Sequence, residues 1–137
     1  MPDNRRLPFG MTLRLEGLRT AIYPAPDLAA AKTWWTDQLG VEPYFDQPFY
    51  VGYAVAGYEL GLLPDADPAD GVLTYWGVDD VAATVVQLTG AGAVEHTPVT
   101  DVGEGITTAT VRTPDGNVLG LIHNPHFAVV APTDGNR

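Results

Sequence analysis

Glu59 is the side chain of this 137-residue sequence whose setting best suits chemistry. It stands in Tyr58-Glu59-Leu60-Gly61-Leu62, a single carboxylate within an apolar run. A carboxylate so placed can act as a base, or accept from a cationic or hydroxyl-bearing ligand. A strand-end glutamate facing water leaves the same signature, and both readings stand. Tyr75 offers a ring and a hydroxyl, the mixture that ligand pockets commonly use. Tyr44, Phe45, Phe49, Tyr50 and Tyr53 crowd two short runs. They suit a wall that stacks on a planar or sugar-bearing ligand, and equally sheet packing or a dimer contact. The three histidines do not make a metal set: His96 stands alone, and His123-Asn124-Pro125-His126 reads as a solvated strand exit. Arg112 can form a salt bridge or anchor an anionic group, and the sequence does not choose. With no cysteine in the chain, disulfides, zinc thiolates and thiol nucleophiles are excluded.

Composition narrows the partners. The net charge of −10, with only seven Lys and Arg, argues against nucleic acid, whose phosphates need a basic surface. It is compatible with a cationic ligand, and also with acidity that serves solubility alone. Hydrophobic residues make up 45% and charged residues 18%, the balance of an ordinary globular chain of one domain. No run reaches the length of a membrane span, and the polar start Met1-Pro2-Asp3-Asn4-Arg5-Arg6 has no signal-peptide core after it. The expectation is a cytoplasmic protein that binds neither membrane nor nucleic acid.

These side chains need elements to position them. Leu13–Tyr23 reads as a strand stopped by Pro24-Ala25-Pro26, and Asp27 caps a helix with Leu28, Ala31, Trp35 and Leu39 on one face and Gly40 at its end. Val41–Asp46, Phe49–Val55 and Tyr58–Leu63 suit three strands. Pro64–Gly71 is a polar connection. Then the order repeats. Val72–Val78 is a strand, Asp79 or Asp80 caps a helix with Val81, Val85 and Leu88 on one face, and strands follow at Ala93–Val99, Gly105–Thr113 and Asn117–His123. Asp27-Leu28-Ala29-Ala30 overlays Asp80-Val81-Ala82-Ala83, and Glu59-Leu60-Gly61-Leu62 overlays Val118-Leu119-Gly120-Leu121.

The repeat predicts an α+β fold: two βαβββ modules, about 18–64 and 71–124, forming a curved mixed sheet with a concave cleft and helices on the convex face. Residues 1–17 are an extension leading into the first strand, 18–127 one domain, and 128–137 a tail. Strand alternation sends Thr20, Ile22, Leu73, Tyr75, Gly120 and Ile122 to the concave face. The opposite set, Ala21, Tyr23, Thr74, Trp76 and Val78, backs onto the helices, so Trp76 and Trp35 are core residues. Trp34 lies off the helical stripe.

Four motifs in order carry a family resemblance over about residues 18–127. They are the first strand into Asp27, Trp34-Trp35-Thr36-Asp37-Gln38-Leu39-Gly40, Gly77-Val78-Asp79-Asp80-Val81 and the turn Thr113-Pro114-Asp115-Gly116-Asn117. With the internal repeat, they resemble the vicinal oxygen chelate superfamily of glyoxalases, bleomycin-resistance proteins, fosfomycin-resistance enzymes and extradiol dioxygenases. That resemblance implies a divalent metal held by His, Gln or Glu on three or four strands, and a homodimer. The first three implied ligand positions fall on Thr20, Leu73 and Gly120, none of them a normal ligand; the fourth is at or two residues from Glu59. The expectation is therefore a domain with no metal and no cofactor. Bleomycin-resistance-type relatives work by binding, so the implied function is sequestration of a small molecule such as an antibiotic or other natural product. Two alternatives remain open: a metal-independent lyase or isomerase using Glu59 as base with Tyr75 as polar partner, and a non-catalytic partner module.

Overall fold

The computed structural model describes residues 13–128, so most of the N-terminal extension and the C-terminal tail expected from the sequence lie outside the described residues. The chain divides into two compact units. One comprises Arg19–Thr74 with the described residues from His126 onward, and the other Tyr75–Pro125 with the described residues up to Leu18.

The first unit is built from β1 (Leu18–Pro24), α1 (Leu28–Leu39), β2 (Phe45–Gln47), β3 (Tyr50–Val55) and β4 (Tyr58–Leu63). Its strand order is β2-β3-β4-β1, with β1 parallel to β4 and the other pairs antiparallel. Asp27 caps α1 by accepting from the Ala30 amide, and Gly40 ends the helix at φ 71°, a left-handed conformation that glycine adopts freely. The expected stripe forms: Leu28, Ala31, Trp35 and Leu39 pack on Ala25, Val51, Tyr53 and Leu62. Trp35 stacks on Tyr23 at 5.5 Å, while Trp34, off the stripe, is 56% exposed. Tyr53 is fully buried under α1. Its hydroxyl donates to the Lys32 carbonyl at 3.0 Å and lies 2.8 Å from Thr36 Oγ1, which must then be the donor to it. A turn with positive φ at both Ala56 and Gly57 joins β3 to β4 and fixes their register, setting Ala54 opposite Glu59 and Gly52 opposite Gly61.

The plan repeats along the rest of the chain, mostly within the second unit: β5 (Leu73–Gly77), α2 (Val81–Gly90), β6 (Val94–Gly103), β7 (Ile106–Arg112) and β8 (Val118–His123). Its order is β6-β7-β8-β5, the counterpart of β2-β3-β4-β1. Asp80 caps α2 through the Ala83 amide. Val81, Val85 and Leu88 pack on Val78, Ala109, Val111 and Leu121, as their spacing predicts. The βαβββ repeat and the α+β class therefore hold.

The local differences have physical causes. The strand expected over Val41–Asp46 shrinks to Phe45–Gln47, because Pro43 interrupts the run and Val41 is exposed. The Pro64–Gly71 connection contains a 3₁₀ turn over Pro68–Asp70, capped by Asp67. Trp76, expected in the core, is only half-buried.

Candidate functional site

In the first unit, strand alternation and the core define two faces. Tyr23, Val51, Tyr53, Leu60 and Leu62 point to α1, so Thr20, Ile22, Tyr50, Gly52, Glu59 and Gly61 point away from it. Thr20 and Glu59 are register partners in the parallel β1–β4 pair. Thr20, 6% exposed, donates from Oγ1 to Glu59 Oε1 at 3.3 Å. Tyr44 donates its hydroxyl to Glu59 Oε2 at 2.6 Å. Burial of that hydroxyl, and after it the hydrogen bond and negative charge of Glu59, push the Tyr44 phenol well above its ordinary 10.0.

Two glycines make this arrangement possible, and the reason is space rather than φ. A Cβ on Gly52 would sit 2.6 Å from Glu59 Oε2, 3.2 Å from the Tyr44 ring and 3.3 Å from the Tyr50 ring. A Cβ on Gly61 would collide with the Tyr50 hydroxyl and ring. Glu59, Tyr44 and Tyr50 thus converge on the clearing above Gly52, with Tyr50 lying across Gly61. Phe45, the register partner of Gly52, shares that face; its ring centroid lies 6.1 Å from Tyr50 and 6.0 Å from Phe49. Within the aromatic cluster, only Tyr53 turns to the helix. An open depression of about 410 Å³ lined by Leu28, Lys32, Asp46, Pro48 and Val51 lies on the other, α1 side, where Lys32 and Asp46 form an ion pair.

The remaining expected site residues divide between the units. Ile22 is buried beside Gly61, its register partner, on the Glu59 face. Leu73 is half-buried in β5. In the second unit Leu119 and Leu121 pack on the α2 cluster, so Gly120 and Ile122 take the face away from α2, with Thr110 and Thr108 as their partners on β7. Tyr75 is half-buried, and that burial raises its hydroxyl above the ordinary value. Arg112 donates to the Gly116 carbonyl at 2.9 Å across the Thr113–Asn117 turn. His123 Nδ1 lies 3.3 Å from the Val78 carbonyl, to which it can only donate. Thr20 and Glu59, expected on one face, do meet there, whereas the Tyr44–Glu59 pair was not expected from the sequence. The available signal was the pair of glycines inside strands, which mark a close approach because a strand glycine otherwise weakens its sheet.

The Tyr44–Glu59 bond carries a prediction. A phenol raised in the folded state keeps a proton that the unfolded chain releases above about pH 10. Its contribution to stability is complete below that value and lost as pH rises through the folded pKa. In an ultraviolet titration, Tyr44→Phe should therefore remove one tyrosine from the late-ionising group. An unchanged late group would show that Tyr44 is not held in solution in this half-buried place beside Glu59.

The family model described as the Glyoxalase/Bleomycin resistance protein/Dioxygenase superfamily matches residues 17–121. The chain belongs to this superfamily. No curated protein matches it in sequence. Among solved structures, a superfamily member from Vibrio splendidus 12B01 is 21% identical, covering 77% of this chain and 97% of its own, with a TM-score of 0.61. A Streptomyces coelicolor methylmalonyl-CoA epimerase variant is 18% identical, covering 87% and 100%, with a TM-score of 0.63. The Mn(II)-bound glyoxalase of Novosphingobium aromaticivorans is 16% identical, with a TM-score of 0.64; the match covers 88% of this chain but 42% of that one. At these identities the likeness is one of fold.

The metal chemistry implied by the superfamily resemblance does not fit this chain's donors. Thr20 is a neutral hydroxyl already donating to Glu59, and Leu73 and Gly120 bring no donor side chain. One carboxylate is too few for a divalent ion that needs several converging O or N ligands. Among the described residues, no three His, Cys, Asp or Glu side chains group where they could hold a metal.

Proposed function

We propose that this superfamily member binds a small organic molecule, holding it rather than transforming it, on the first unit's helix-free face. The observation that supports this most is the convergence of Glu59, Tyr44 and Tyr50 over Gly52. Glycine at that position, and at Gly61, keeps clear the ground on which an acceptor and two rings lie. Two hydroxyls donating to Glu59 hold its carboxylate in place as a fixed acceptor. Sequestration of an antibiotic or other natural product follows from such a face without any chemical step. A homodimer is part of this reading.

A thermal-shift screen of small molecules, followed by amide mapping, tests it. A hit should raise the melting temperature, perturb the amides of Thr20, Tyr44, Gly52 and Glu59, and be recovered unchanged after long incubation. Perturbation confined to other residues would place the site elsewhere. Conversion of the hit, lost in Glu59→Gln, would favour the lyase or isomerase reading.

A further inference from the structure

We infer that the ligand of this face is an organic cation, its positive group held at Glu59 and its body laid on the neighbouring rings; the inference rests on the binding reading above. Three independent features point there. The first is the wall. The Tyr44 and Tyr50 rings flank the carboxylate over Gly52, and Phe45 extends the aromatic surface from Tyr50. Aromatic faces attract cations through their quadrupole, and do so most strongly where water is excluded.

The second is the charge on that face. Among the described residues of this unit the only Lys or Arg side chains are Lys32 and Arg19. Lys32 pairs with Asp46 on the α1 side, and Arg19, which shares the strand parity of Tyr23, lies over the Phe127 ring at 3.8 Å. Neither is placed to neutralise Glu59. The third is acceptor capacity. Tyr44 and Thr20 each donate one hydrogen bond, to different oxygens, whereas a carboxylate offers about four acceptor positions.

These features discriminate between ligand classes. An anion would be repelled, and a neutral molecule covering Glu59 would strip water from a charge without replacing it. A cation compensates the charge it desolvates. The chain's net charge of −10 further concentrates cations around it.

Benzyltrimethylammonium, benzyl alcohol and benzoate share a ring and differ in charge, so they make the test. In nuclear magnetic resonance titrations of the whole protein, benzyltrimethylammonium should saturate shifts at Thr20, Gly52 and Glu59 and weaken as salt rises. Benzoate should not bind, and benzyl alcohol should bind at least several-fold more weakly. Glu59→Gln should lower the cation's affinity by roughly tenfold to a hundredfold. Should that variant fail to fold, the salt dependence and charge ranking on the native protein decide alone. Benzyl alcohol binding this face as tightly as the cation would overturn the inference and leave the binding reading standing. If the cation perturbs no residue of the face, the inference falls, and the broader screen decides the binding reading separately.

Discussion

Replacing Tyr53 by alanine is expected to destabilise the protein by about 3–5 kcal/mol, the range for truncating a large aromatic side chain in a packed core. Tyr53 is 0% exposed and packs beside Val51 and Leu62 beneath Leu28 and Trp35 of α1. Its loss opens a cavity that helix and sheet can close only in part. It also strips the Lys32 carbonyl and the Thr36 hydroxyl of their shared partner. Tyr53→Phe separates the two contributions: it keeps the ring and should cost about 0.5–1.5 kcal/mol for the hydrogen bonding alone. Urea unfolding of both variants checks this. A Tyr53→Ala midpoint close to that of the native chain would mean that α1 does not rest on this ring.

Gly52→Ala is expected to reduce ligand affinity more than Glu59→Gln does, and so by at least roughly tenfold. The added methyl would stand 2.6 Å from Glu59 Oε2 and within 3.3 Å of both tyrosine rings. All three groups end on movable side chains, so the strand can accept the methyl while the carboxylate and the rings are displaced. The cost in stability should stay within the range of about 1–3 kcal/mol seen for overpacking. Gly61→Ala is the partner experiment. It displaces Tyr50 alone, hydroxyl and ring together, so it should weaken binding less and leave the Tyr44–Glu59 bond intact. Calorimetry on both variants with one ligand found in the screen gives the ranking. Equal, native-like affinity in both would show that the side chains seated over Gly52 do not hold the ligand.

Local rules written in the sequence determined most of the elements. Asp27 and Asp80 mark the helix starts because a short carboxylate satisfies an otherwise unpaired amide at each helix end, and both do so. The stripes Leu28-Ala31-Trp35-Leu39 and Val81-Val85-Leu88 reach the core because helical periodicity is a property of the chain itself. The duplication, four motifs and the parity of Thr20 and Glu59 were legible for the same reason: spacing along a strand or helix sets which side chains share a face.

What lay beyond the sequence depended on which strands lie side by side. That Thr20 stands opposite Glu59 is settled by the parallel pairing of β1 with β4, between residues 39 positions apart. That Tyr44 bonds Glu59 follows from the short β2 and the route of the chain into it, which Pro43 shapes and no periodicity records. Trp76 was placed in the core by parity alone; parity gives the direction of a side chain but not how much covers it, and it is half-buried. Gly52 and Gly61, as glycines inside strands, mark a close approach in the sequence but not what approaches. Their role is the volume they leave empty, and only the packed sheet shows that Glu59, Tyr44 and Tyr50 fill it.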